Sequence, residues 1–279
     1  RGPILFDTSR MSPESVRALR PAAGWARLHD AKLLAAGIDF FGAPQEWMPQ
    51  VLTSYGGVMC GPGCSTPVEG LFAAGRSCGI DGGVYMGGLS MCLVATTGHM
   101  AGDSAGRFAA QHGLPDQNPA LAKEKLSIAL APLGREGIAP KDAVRRLQEI
   151  VSACDVCILK TAEGLSNGLR RLEELRGAVL SRMGAADPHY LMKAREAQAM
   201  AMLTDFTLRA SLLREESRAG HFRADFPRRD NSRWLKWIVI RREGGRAVFD
   251  TRPVPLGSYK VQPGPCYMDN FHFPTATQV

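Results

Sequence analysis

No apolar run in this sequence approaches the roughly 18 residues that a membrane-spanning helix needs, so the expectation is a cytoplasmic protein that reaches a membrane only through partners. The glycine fingerprint GxGxxG of a dinucleotide fold is absent. Internal repeats and low-complexity tracts are missing as well. Seven cysteines, an odd number scattered along the chain, exclude a simple disulfide framework and favour a reducing compartment. Cys60-Gly61-Pro62-Gly63-Cys64 invites a metal or redox reading, but neither a second pair nor histidines at ligand spacing accompany it, and no metal site is expected. Cys154-Asp155-Val156-Cys157 falls in the helical period Val144, Leu147, Val151, Cys154, Ile158 and reads as core packing. Against a net charge of +7, the late basic cluster Arg218, Arg223, Arg228, Arg229, Arg233, Lys236, Arg241 and Arg242 lacks a zinc finger, helix-turn-helix or aromatic-lined RNA motif. Nucleic acid is therefore not an expected partner; a solvated face or a docking surface for an acidic protein is.

What is present is an ordinary globular composition, 45% hydrophobic and 22% charged, with glycines concentrated between Tyr55 and Gly106. Gly70-Leu71-Phe72-Ala73-Ala74-Gly75 reads as a buried strand ending in a glycine turn, and Gly87-Gly88 opens a run of helical length. A strand–loop–helix unit of this kind lets backbone approach a flat cofactor. Its helix start presents unpaired N–H groups and a positive dipole end to the electron-rich edge of a flavin. Glycine spacing alone fits an ordinary packed βα unit equally well.

Four blocks add to that spacing: Arg1-Gly2-Pro3-Ile4-Leu5-Phe6-Asp7, Ala36-Gly37-Ile38-Asp39, Ser54-Tyr55-Gly56-Gly57, and Arg214-Glu215-Glu216-Ser217-Arg218-Ala219-Gly220-His221-Phe222-Arg223-Ala224-Asp225-Phe226-Pro227 with Asp230 and Trp234-Leu235-Lys236. In order and separation they resemble the RGPVYLDL, GVD, HYTMGG and RxESRGAHxRxDxP…DxxxWLKH blocks of the fumarate reductase and succinate dehydrogenase flavoprotein subunits, a family that includes L-aspartate oxidase and the adenylylsulfate reductase alpha subunit. The resemblance implies an FAD-dependent oxidoreductase. It places Arg1 near the end of a substrate-capping domain, so the expectation is a C-terminal portion of a larger flavoprotein, either a truncated piece or one chain of a split enzyme. The partners then implied are the N-terminal FAD-binding half of the same protein and an iron–sulfur subunit.

By the same resemblance, FAD would be held at Gly75, Arg76, Gly87, Gly88, Leu89, Ser90 and Met91. Three positions depart from the reductase pattern. Leu52 stands where the family has a dicarboxylate-binding histidine, Tyr85 where it has a carboxylate-clamping arginine, and Arg76 where it has a glutamate on the ribityl chain. Neither leucine nor tyrosine reproduces a bidentate carboxylate clamp, so the expected substrate is neither fumarate nor succinate. No catalytic residue is assigned; Tyr85 is the candidate, either orienting a carbonyl or donating a proton, or else packed beside the flavin or in the core. His99, His221 and Arg218 read as structural, and Asp81 before Gly82 as a turn. Two alternatives stay open: an adenylylsulfate reductase alpha-like subunit, and a non-catalytic scaffold that retains the fold.

The expected fold class is a multidomain α+β fragment: the end of a capping domain over 1–51, the returning part of an FAD-binding α/β fold over 52–117, a three-to-four-helix bundle over 118–217, and a small β-containing domain over 218–279. Within it, the stripe Leu165, Leu169, Leu172, Leu175, Val179 marks a bundle helix. Helix breaks are expected at Pro132–Gly134, Gly164–Gly168 and Gly184–Pro188. Glu243-Gly244-Gly245 joins two strand-like runs as a hairpin.

Overall fold

The computed structural model describes residues 4–20, 24–47, 56–79, 89–113, 118–260 and 262–263. These fall into two compact units, dividing after Ser54.

In the first unit, β1 (Ile4–Phe6) pairs antiparallel with β2 (Gln45–Trp47), Phe6 opposite Gln45. Helix α1 (Pro13–Leu19) starts where Ser12 Oγ accepts the Ser15 N–H at 3.1 Å and Pro13 takes the position whose N–H needs no partner. Helix α2 (Gly24–Ala35) ends at Gly37, whose φ of +78° is the left-handed cap that a side chain would strain. Phe6, Phe40 and Phe41 form an aromatic cluster with ring centroids 5.1 to 6.2 Å apart. Beside it Arg20 bridges Asp30 and Asp39.

The second unit opens with a compact segment, 56–79, that leans on the long helix α3 (Leu89–His112). Its ties are single bridges: Val58 pairs parallel with Cys78, and Ser65 antiparallel with Phe72. The strand expected over Leu71–Ala74 is therefore one bridged residue in an extended run, because among the described residues no second strand lies alongside to continue a ladder.

Three helices build the main core: α5 (Pro140–Val151), α7 (Ala162–Ala178) and α8 (Pro188–Leu213). Leu147 and Ile150 of α5 meet Leu172 and Leu175 of α7 over an alanine stripe on α8, Ala194, Ala197 and Ala201. Residues three and four apart share a helix face, and alanine there lets two backbones approach closely. Each buried leucine contributes about 1.5–3 kcal/mol. Asp187 caps α8, accepting the Tyr190 N–H at 3.0 Å ahead of Pro188. By contrast α4 (Pro119–Leu130) buries no residue, leaving Leu121, Leu126 and Ile128 exposed.

Two further expectations are corrected by the helices. Gly164 and Gly168 lie inside α7 rather than at a break, since their missing side chains make room: a Cβ on Gly164 would stand 2.5 Å from the Asp155 carbonyl, and one on Gly168 would touch Leu208 at 3.4 Å. The period through Cys154 also fails. Helix α5 stops at Val151, and the single turn α6 (Cys154–Cys157) that follows buries Val156 while Cys154 and Ile158 face solvent.

After α8 the chain forms a loop, the short helix α9 (Asn231–Trp234), and an antiparallel hairpin of β3 (Lys236–Glu243) and β4 (Arg246–Pro253). Glu243 faces Arg246 across Gly244 and Gly245, with φ of +53° and +82°, the two left-handed positions of a tight hairpin turn. The architecture is thus mixed α and β with helices dominant.

Candidate cofactor site

Gly75 sits in a 3-10 turn, Gly75–Ser77, that follows the extended run and faces α3. Its φ is +60°, and its buried N–H donates to Thr97 Oγ1 at 2.7 Å. Thr97 in turn donates to the Leu93 carbonyl at 2.5 Å, so one hydroxyl ties the turn to the body of the helix. A Cβ at Gly75 would make ordinary contact with Val94 at 3.4 Å, but on a backbone whose φ is left-handed. The left-handed backbone is what favours glycine there.

The first turn of α3 carries Leu89 and Ser90 half-buried and Met91 75% exposed. The first four N–H groups of an α-helix lack intrahelical acceptors, and a 24-residue helix concentrates partial positive charge at that end. No acidic residue in the first turn offsets it. Small turn, uncompensated helix start and exposed apolar Met91 are groups that an electron-rich ring can use, so the residues present fit a flavin. Arg76 is exposed on the same turn. The structure thus brings Gly75 and Arg76 against the helix that starts with Leu89, Ser90 and Met91. Tyr85, Gly87 and Gly88, and with them Leu52 and Asp81, lie outside the described residues.

Thr97 was not singled out by sequence reasoning. The signal for it was a β-branched hydroxyl within an apolar helix, a residue type that needs a reason to be buried there.

The Arg214–Pro227 block builds a packed ionic junction. Glu216 is fully buried, its two oxygens accepting from Arg214 Nη1 at 2.6 Å, Arg218 Nε at 2.8 Å and Nη2 at 3.0 Å, and the Asp230 N–H at 2.8 Å. Burial pushes the Glu216 carboxyl up, but the hydrogen bonds from Arg218, Asp230 and Arg214 outweigh it and hold it below the usual range. Arg223, 1% exposed, donates to both Asp225 oxygens at 2.8 Å and to the Ser211 and Leu212 carbonyls that end α8. Those bonds bring Asp225 down to about 2. His221 Nε2 lies 3.3 Å from the Arg214 carbonyl, and burial lowers the ring to about 4. These groups answer one another, which makes Arg218 and His221 parts of the junction between α8 and the hairpin. His99 is exposed on α3. Among the described residues no three His, Cys, Asp or Glu side chains are arranged to hold a metal ion, and no helix is long and apolar enough to cross a membrane.

Residues 144–266 match the family model described as Fumarate reductase flavoprotein C-term. In sequence this chain is similar to fumarate reductase/succinate dehydrogenase flavoprotein subunits. Over 221 residues it is 28% identical to one of the subunits of the fumarate reductase (CoM/CoB) of Methanothermobacter marburgensis, covering 76% of this chain and 39% of that protein. With an uncharacterized FAD-dependent oxidoreductase of Methanocaldococcus jannaschii it shares 26% over 215 residues, 75% of this chain and 38% of the other. In fold it is similar to a chain of the Mycobacterium smegmatis Sdh1 complex in the apo form, with a TM-score of 0.75 at 24% identity, covering 97% of this chain and 47% of that one. The chain thus spans about two fifths of the length of these curated relatives. The Gly75 turn and α3 lie ahead of the segment that the family model matches.

Proposed function

We propose that this chain is the C-terminal part of an FAD-dependent oxidoreductase that exchanges hydride with a substrate other than fumarate or succinate and passes electrons to an iron–sulfur partner. The observation that carries the reading is the left-handed Gly75 turn tied through Thr97 to a helix whose first turn bears no acid. Relatives named as fumarate reductase and as FAD-dependent oxidoreductase support it. In this reading Gly75, Arg76, Gly87, Gly88, Leu89, Ser90 and Met91 hold the flavin against the N-terminal half of the protein, and Tyr85 is the candidate at the substrate. When bound, the flavin supplies hydride acceptance and donation at its N5. The chain's own work is to place the start of α3 at one edge of the ring and to leave room for it with glycine. The assigned domains are the end of a capping domain over 1–51, flavin fold over 52–117, helical bundle over 118–217 and C-terminal domain over 218–279.

Leu52 and Tyr85 carry the substrate part of the proposal. The flavin-loaded complete protein, this chain joined to its N-terminal half, is expected to show no fumarate reduction or succinate oxidation above background. Turnover of either at an ordinary enzymatic rate of about 1 per second or more would overturn that part.

A further inference from the structure

Four of the seven cysteines, Cys60, Cys64, Cys78 and Cys92, converge where the 56–79 segment meets α3, a gathering that the flavin reading does not use. Val58 donates its N–H to the Ser77 carbonyl at 2.7 Å and accepts the Gly79 N–H at 2.8 Å, which fixes Cys78 alongside the strand that leads into Cys60. Cys60 is two residues beyond Val58, on the same side of an extended chain. Cys64 and Cys78 belong to one small buried cluster against which Cys60 packs, and the Cys78 thiol donates to the Ala73 carbonyl at 2.7 Å. Access differs sharply between them. Cys78 is fully buried, Cys64 is buried in a left-handed conformation at φ +61°, and Cys60 is half-buried at the wall of a cleft of about 390 Å³ closed on the other side by Leu89, Cys92 and Thr96.

We propose that Cys60 and Cys78 are a reactive thiol pair that a low-molecular-weight disulfide, entering this cleft, converts to an intramolecular disulfide. The Cys60 thiolate attacks one sulfur of the small disulfide; an S–S bond forms to Cys60 and the first small thiol leaves with the electron pair. The Cys78 sulfur then attacks Cys60 Sγ, loses its proton to solvent, and releases the second small thiol. Two protein thiols are oxidised, one small disulfide is reduced to two thiols, and no other reactant is needed. Cys60 acts first because, of the touching trio, it is the one left half-exposed at the cleft while Cys64 and Cys78 are buried. The second step has its own pH signature: burial raises the Cys78 thiol above its ordinary value, so its reactive thiolate fraction grows as pH rises through the neutral range. Neither Cys60 nor Cys78 is among the proposed cofactor contacts, although the cleft shares Leu89 with them.

The test treats the reduced protein with 2-hydroxyethyl disulfide and follows each cysteine by peptide mass mapping. At mildly acidic pH the mixed disulfide should accumulate on Cys60; raising the pH should replace it with a Cys60–Cys78 crosslink. Cys78→Ser should leave the adduct standing on Cys60, and the half-buried Cys60→Ser, which disturbs little packing, should leave Cys78 unmodified. An unreacted Cys60, a Cys60–Cys64 crosslink, or adduct on Cys78 in Cys60→Ser protein would each overturn the proposal.

Discussion

Replacing Glu216 by alanine should loosen the whole segment between α8 and the hairpin. The fully buried carboxylate takes four hydrogen bonds, three from the guanidinium groups of Arg214 and Arg218 and one from the Asp230 N–H. Those side chains are only 15% and 26% exposed, so water cannot replace the lost partner fully. Removing one member of a buried ion pair costs about 3–5 kcal/mol, because the charge left behind remains desolvated. Arg214 also holds the Trp234 and Lys236 carbonyls, which carries the disturbance to the entry of β3. Because the chain comprises two units, a single unfolding free energy is poorly defined, and local hydrogen exchange is the better assay. The amides of Ser217, Arg218 and His221, bonded to Arg228, His221 and Arg218, are the reporters. At about 1.4 kcal/mol per factor of ten, even the lower bound predicts exchange faster by about 100-fold there. Amides of α3 should be unchanged. Acceleration of the reporters by less than about fivefold, about 1 kcal/mol, would refute the view that Glu216 holds this junction together.

His221 offers a pH test. Its folded value of about 4 lies below the ordinary 6.5, so between those two values the unfolded chain binds a proton that the folded chain refuses. Stability should be fully present above pH 6.5, fall as pH drops towards 4, and level off for this group below it; His221→Gln should flatten that part of the profile, and an unchanged profile would contradict the burial argument. The two kinds of glycine in α7 should respond oppositely to alanine. Gly164→Ala forces a Cβ against the Asp155 backbone, an overpacking cost of about 1–3 kcal/mol that exceeds the helix-propensity gain of about 1. Gly177→Ala meets nothing within 4 Å and should stabilise by about that propensity gain. Thermal melts of the two variants shifting in the same direction would defeat the distinction.

Local chemistry made some of this structure legible in advance. The break at Gly184–Pro188 falls just ahead of α8, the stripe from Leu165 to Leu175 lies on α7, and Glu243-Gly244-Gly245 turns the hairpin, each through interactions spanning a few residues. Gly164 and Gly168 misled because a glycine that ends a helix and one that admits a neighbour look alike until the neighbour, Asp155 or Leu208, is known. Cys154 kept the helical period but not the helix. Thr97 at the candidate site and Arg223 at the junction were hidden for the same reason: their partners, the Gly75 N–H and the carbonyls ending α8, lie 22 and about a dozen residues away in sequence. The Gly75 turn itself was readable because both its glycine and the helix that answers it are written close together.

The most direct test of the flavoprotein reading is an FAD titration of this chain joined to its N-terminal half, with Gly75→Val run beside it. A valine there must adopt φ near +60° and meet Val94, a cost of at least about 1–2 kcal/mol from backbone strain alone. The account predicts one FAD bound per protein and an affinity weakened about tenfold or more in Gly75→Val, corresponding to about 1.4 kcal/mol or more. A complete protein that binds no flavin, or a folded Gly75→Val that binds it as tightly as the parent, would contradict it.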